Sequence, residues 1–260
     1  MDSSLGSVGS YRQSIMIDGW DPFYVGEGAE LGVIYGYKVS NIIKTEEDLA
    51  NVAVDNPNKR IGEYDYVKDE NGFMKEMVLG NTNPDFIYGL STQLRYKNFR
   101  LNANFSGSIG NDIINVQTQI VQNRALGTPN VIYNYWIPEI RNSAGEVVIP
   151  DNGKNGLCIG YPNNTVHDIS KLVDHYVEDG SFFKMNNISL SYVWTPKNKM
   201  KYIKRLIPTF SISNLFMITN YSGVNPETSL YGQDPIRRGV AYYEYPLTRS
   251  FSFTINCVFN

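Results

Sequence analysis

The final stretch, Leu247 to Phe259, restricts the fold more than any other. Its odd positions are Leu247, Arg249, Phe251, Phe253, Ile255, Cys257 and Phe259; its even positions are Thr248, Ser250, Ser252, Thr254, Asn256 and Val258. Strand side chains alternate between faces, so one face here is almost wholly apolar and the other almost wholly polar. A strand of a soluble sheet usually runs about five or six residues. Alternation sustained from 247 to 259 suits instead a tilted strand that keeps roughly 9–11 residues in hydrocarbon. Phe259 then falls where an interfacial aromatic girdle is expected. The pattern predicts a wall strand of a membrane-spanning β-barrel.

Bulk properties agree with that expectation. Tyr occurs 19 times, aromatic residues make up 13% of the chain, and charged residues only 19%. This balance fits strands with aromatic belts better than a soluble enzyme. A formal net charge of −3 argues against a nucleic-acid surface, which needs a clustered basic excess. No run of 18 apolar residues occurs, so no helix is expected to span a bilayer. The mean hydropathy of −0.30 does not count against a barrel, because alternating walls cancel in a window average. The opening Met1-Asp2-Ser3-Ser4-Leu5-Gly6 has neither a charged nor an apolar leader region, so no signal peptide is expected here. Nothing in the spacing of Cys158 and Cys257 brings them within the ~7 Å a disulfide requires.

From the N-terminus, the segment Leu31 to Val39 is β-prone, with Tyr11 to Ile17 as a weaker strand. Thr45-Glu46-Glu47-Asp48 resembles a capping box and predicts a short helix over about 46–52. Asp69-Glu70-Asn71-Gly72 predicts a turn; it fails as a calcium loop because Val67 and Val78 occupy ligand places. Phe86 to Tyr96 and Phe99 to Ile109 alternate cleanly around Lys97-Asn98, which predicts a long hairpin with a tight turn. Residues 110–180 lack sustained alternation, and the spacing of Ile113, Val116, Ile120 and Val121 predicts a short amphipathic helix. Further strands are expected over 187–195 and 208–218, joined by the basic stretch Pro196 to Arg205. Connections of this length are uncommon in compact soluble domains but normal on a barrel, where one rim carries long loops. The two turns at 97–98 and 196–206 should share one rim, and the connections 110–180 and 220–246 the other.

A resemblance to a known family enters at this point. Gly80-Asn81-Thr82-Asn83-Pro84-Asp85-Phe86, then Tyr88-Gly89-Leu90 and Tyr96-Lys97-Asn98-Phe99, resemble the late barrel strands of SusC/RagA-type TonB-dependent transporters. Similar pieces follow in family order: Gly110-Asn111-Asp112-Ile113, Val177-Glu178-Asp179-Gly180-Ser181-Phe182, Ser213-Asn214-Leu215-Phe216 and Arg249-Ser250-Phe251-Ser252-Phe253. Together with Tyr35-Gly36-Tyr37, they cover roughly residues 30–260. The resemblance implies an all-β chain, residues 1–260 forming the C-terminal strands of a large antiparallel transmembrane β-barrel with long extracellular loops. Plug domain and signal peptide are absent from that portion. It further implies outer-membrane, TonB-dependent uptake of oligosaccharides or peptides. The implied partners are a SusD-like surface lipoprotein, the TonB complex (through a region outside this sequence) and outer-membrane lipid, with no nucleic acid.

No catalytic constellation is legible. His167 and His175, with Asp168 and Asp174, lie in irregular chain that fixes no metal geometry, so neither metal nor cofactor is expected. Glu46, Glu47 and Asp48 read as helix-start solvation rather than an acid/base pair. Aromatic clusters are the better candidates for ligand contact, since flat rings with polar tips suit sugar faces and partner surfaces. They are Tyr133, Tyr135 and Trp136 in the long connection, and Tyr242 and Tyr243 before the last strand. The competing expectation is a surface-exposed or secreted β-rich glycan-binding protein without transport; it would fold in water without detergent.

Overall fold

A computed structural model of the chain describes residues 11–13, 15, 20–56, 59–118, 136–153, 171–196, 202–227, 229–232 and 234–259. The strands in chain order begin β1 (Tyr11–Gln13), β2 (Phe23–Val25), β3 (Val33–Tyr37) and β4 (Val39–Ile42). Helix α1 (Glu46–Ala50) precedes β5 (Tyr64–Tyr66), β6 (Glu76–Asn81), β7 (Phe86–Tyr96) and β8 (Phe99–Ile109). Then come β9 (Asp112–Asn115), β10 (Ile140–Arg141), β11 (Val147–Ile149), β12 (Val177–Asp179) and β13 (Phe182–Tyr192). The series closes with β14 (Ile203–Thr219), β15 (Val240–Ala241) and β16 (Ser250–Phe259). The chain is therefore all-β, and it forms two compact units. Residues 1–83, 113–178 and 228–243 make the first; 84–112, 179–227 and 244–260 make the second.

The second unit is one five-stranded antiparallel sheet in the order β16-β14-β13-β8-β7, with every strand beside its successor in the unit. The two-residue turn Lys97-Asn98 joins Tyr96 to its partner Phe99, with Lys97 in the left-handed region at φ 53°. The β13–β14 connection leaves from the same rim, where Trp194 bridges Leu206. Connections 110–181 and 220–249 leave from the opposite rim, as the alternation of long and short links predicts.

Register turns sequence alternation into rows across the sheet. Leu94, Leu101, Leu190, Phe210 and Phe253 form one row, and Thr92, Ala103, Ile188, Ile212 and Phe251 the next on that face. Between them, pointing the other way, run Gln93, Asn102, Ser189, Ser211 and Ser252. The polar rows are cross-linked: Ser211 and Ser252 hydroxyls lie 2.7 Å apart, Ser191 and Thr209 2.8 Å, and Asn186 Nδ2 donates to Ser106 Oγ at 2.8 Å. The apolar rows remain open, with Leu90, Leu94, Phe251, Phe253 and Ile255 all more than half exposed. Strands β7 and β16 are the two edges, so the sheet is not closed.

Two bulges explain where the simple alternation misled. Met185 and Asn187 pair with the adjacent residues Phe105 and Asn104, so Asn186 is an extra residue that switches the apolar parity from odd to even along β13. This is why the strand starts at Phe182 and not near 187. In β14, Asn214 adopts φ 52° between the paired residues Ser213 and Phe216, which restores the match to β13. β14 also starts earlier than 208 and crosses Pro208. Lacking an N–H, Pro208 is paired with Ile255 of β16 but sits where the β13 ladder breaks, between Thr209–Ser191 and Leu206–Trp194.

The first unit is built from many short strands: a β1-β2-β3-β6 sheet, a β4-β5 pair, a β10-β11 hairpin, and a three-stranded β12-β9-β15 sheet. Its core gathers Trp20, Phe23, Ile34, Tyr66, Ile114, Val116, Leu172, Val173, Tyr176 and Val240. The helix forms as expected at α1, where the Thr45 hydroxyl accepts from the Asp48 N–H and the Asp48 carboxylate accepts from the Thr45 N–H. The start of the helix expected over Ile113, Val116, Ile120 and Val121 is corrected, while Ile120 and Val121 lie outside the described residues. Ile113 and Ile114 are both fully buried in β9 between β12 and β15, and helical geometry begins only at Val116. A strand buried on both faces shows no alternation, which is why the pattern was misleading.

Candidate ligand site

In the first unit, β3 turns Ile34 and Gly36 inward and leaves Val33, Tyr35 and Tyr37 half-exposed. Gly36 lies against the Leu172 backbone; a Cβ there would meet the Leu172 carbonyl oxygen at 2.6 Å. This close approach lets the Tyr37 N–H donate to that same oxygen at 2.9 Å and brings Lys171 beside the sheet. The Lys171 ammonium stands 5.5 Å from the centroid of the Tyr37 ring. From β1, Arg12 donates to both Glu76 oxygens, at 2.9 and 2.6 Å, with its guanidinium 5.1 Å from the Tyr35 ring and 5.8 Å from the Tyr24 ring. Such fork-to-carboxylate geometry holds both side chains in register.

Arg12, Tyr35, Tyr37, Glu76 and Lys171 line a cavity of about 220 Å³ together with Trp20 and Asp21. Trp20 is fully buried and stacks on Tyr176, so the cavity floor is fixed. Burial and the Glu76 and Asp55 carboxylates push the Tyr37 hydroxyl above its ordinary pKa, which keeps it a hydrogen-bond donor. Lys171 makes no ion pair among the described residues. The arrangement offers a cation, a phenol donor and two aromatic faces to a polar ligand; it holds no nucleophile–base pair. Among the described residues, no cluster of three or more His, Cys, Asp or Glu could hold a metal.

The aromatic residues expected from sequence take different positions. Tyr133 and Tyr135 lie outside the described residues. Trp136 is 3% exposed: its Nε1 donates to both Asp151 oxygens at 3.0 Å, and its ring packs with Ile42 and Tyr64. Those contacts fasten the base of the β10-β11 hairpin and leave no ring face open. Tyr242 is half-buried against the core, whereas Tyr243 is 63% exposed, edge-on to it at 4.4 Å. Sequence reading missed Arg12, Glu76 and Lys171, which are scattered along the chain. The alternating Tyr35 and Tyr37 were the one local signal.

Comparison with known proteins places this geometry. No family model matches the chain. Three TonB-dependent receptors of Formosa agariphila are similar: one is 27% identical over 90% of the chain, a second 30% over 70%, and a third 27% over 89%. The chain spans about a fifth of their length, the aligned parts being 22%, 17% and 23% of each relative. Among solved structures, the RagAB peptide importer matches in its closed-closed and open-open states, each with a TM-score of 0.61 and 16% identity. The match covers 95% and 97% of this chain and 24% of the importer chain in each state. The long meander, its rows and its loop-bearing rim thus have the fold of one portion of a large barrel, and the place of such proteins is the outer membrane. Over nine-tenths of its length the chain is thus similar in sequence to part of these TonB-dependent receptors, and in fold it matches one portion of the RagAB importer.

Proposed function

We propose that the chain supplies wall and ligand-facing loop surface to a TonB-dependent importer of oligosaccharides or peptides. The observation that carries this is the β7–β16 sheet: one open apolar face, one hydroxyl- and amide-lined face, and both long connections at a single rim. In hydrocarbon, backbone groups must be paired, so β7 and β16 would find their partners in further strands of a closed barrel. On this reading residues 1–260 form one C-terminal barrel portion. Both of its units belong to that portion, and the plug and the TonB-contacting region lie elsewhere in the receptor. A SusD-like surface lipoprotein would cap the loops, and energy relayed through TonB would release the ligand inward. The name of the RagAB peptide importer favours a peptide; the aromatic faces at Tyr35 and Tyr37 suit either class.

The test is uptake of labelled peptides and oligosaccharides by cells in which the receptor carrying this chain is the sole route. Uptake should require TonB, and Lys171→Ala should raise the half-saturation concentration severalfold at unchanged surface abundance. Uptake that persists without TonB refutes the reading.

A further inference from the structure

The second unit is electrically polarised along its strands. Its carboxylates, Asp85, Asp112, Asp179, Glu227 and Glu244, all lie at or beyond the rim of the long connections. No Asp or Glu occurs in residues 86–109, 182–219 or 245–260. At the opposite, short-turn rim stand Arg95, Lys97, Arg100, Lys204 and Arg205, and none of them is ion-paired among the described residues. Arg95 and Arg100 are direct cross-strand partners. That pair lies in the polar-face row of Ser191 and Thr209, whereas Lys97 stands in the turn and Lys204 at the outer end of β14.

An aromatic band lies at the same rim as the cations. Tyr96, Phe99, Tyr192, Trp194 and Tyr202 cluster at the same rim, with Phe99 and Tyr192 rings 4.9 Å apart. Tyr96 and Phe99 are 70% and 48% exposed, and the Lys97 ammonium rests 5.3 Å from the Tyr96 ring. Amphipathic rings settle at the headgroup level of a bilayer, and long cationic side chains just beyond them reach its phosphates.

We propose that the short-turn rim is a binding surface for anionic phospholipid headgroups, centred on Lys97, Lys204 and Arg205. The proposal rests on the barrel-wall reading above and adds the identity of the lipid to it. Each cation close to an anionic surface favours the anion by roughly fivefold, an attraction confined to about a Debye length.

Trp194 provides the readout, because the other two tryptophans, Trp20 and Trp136, are buried at 0% and 3% exposure. The full chain is purified in a neutral detergent, and brominated phosphatidylglycerol or brominated phosphatidylcholine is added at equal mole fraction. Brominated phosphatidylglycerol should half-quench Trp194 at a mole fraction about fivefold lower or more. That ratio should fall towards one in 1 M salt, and in the triple variant Lys97→Gln, Lys204→Gln, Arg205→Gln. The salt arm decides the matter even if the variant fails to fold. Equal quenching by the two lipids in the wild-type chain overturns the headgroup proposal but leaves the wall reading standing. Absence of quenching by either lipid overturns both.

Discussion

Arginine placed at Phe253 should damage the fold far more than arginine placed at its neighbour Thr254, if the apolar rows face lipid. Phe253 ends the row Leu94, Leu101, Leu190, Phe210 and Phe253 and is 66% exposed. A phenyl ring two-thirds bare to water would forfeit roughly 3 kcal/mol of burial, at about 25 cal/mol per Å² over some 130 Å². Replacing it by arginine on a water-facing surface would therefore be neutral within about 0.5 kcal/mol, or favourable for solubility. On a lipid face the same change costs about 2–4 kcal/mol near the bilayer middle. A cost of 3 kcal/mol shifts the folded-to-unfolded ratio by roughly 150-fold, well within reach of denaturant titration in vesicles. Thr254 lies on the opposite face, in the row with Ser191 and Thr209, and Thr254→Arg should cost about 1 kcal/mol or less. The assay is urea unfolding of the vesicle-inserted receptor carrying this chain, followed by heat-modifiable gel mobility. Equal losses for the two variants, or a neutral Phe253→Arg, would refute the assignment of faces.

The remaining predictions address both units. Burial pushes the Glu244 carboxyl up to about 7, against an opposing, smaller pull from the Asn225 backbone N–H. Between its ordinary value of 4.5 and about 7, only the folded state keeps the proton, so the melting temperature should fall as pH rises through that window. Glu244→Gln should flatten this dependence; an unchanged slope rules out Glu244 as its source. Gly36→Ala drives a methyl into the Leu172 carbonyl and should cost about 1–3 kcal/mol, seen as faster proteolysis within residues 11–83. Finally, residues 1–260 expressed alone should be insoluble or soluble only in detergent, because β7 and β16 offer unpaired edges beside an open apolar face. A monodisperse monomer that melts cooperatively without detergent would favour the water-soluble glycan-binding alternative instead.

Legibility in the sequence followed strand length and regularity. β7, β8 and β16 could be read almost residue by residue, since unbroken alternation carries both existence and facing. Asn186 and Asn214 hid parts of β13 and β14, because one inserted residue inverts parity while leaving local composition unchanged. The first unit was mostly invisible. Its strands β2, β5, β12 and β15 are two or three residues long, too short for any period to register. Its core gathers Trp20 and Val240 into one cluster, a grouping that no local pattern encodes. The cavity shares this difficulty: Arg12 meets Glu76 across a sheet, and Lys171 arrives only because Gly36 admits the Leu172 backbone.

The rows of serine, threonine and asparagine on the polar face bear on speed as well as solubility. In the Ser211–Ser252 and Ser191–Thr209 contacts either hydroxyl can be the donor, so each link can reverse its polarity by rotating a proton, with no heavy atom moving. A polar solute sliding along this face would find an equivalent partner on each strand, about 4.8 Å apart, whether it offers a hydrogen or a lone pair. One exchangeable hydrogen bond has a net worth of roughly 0.5–1.5 kcal/mol, only one to three times thermal energy. Such a surface has a shallow, evenly corrugated energy profile: it wets the solute throughout its passage and gives it nowhere to stick.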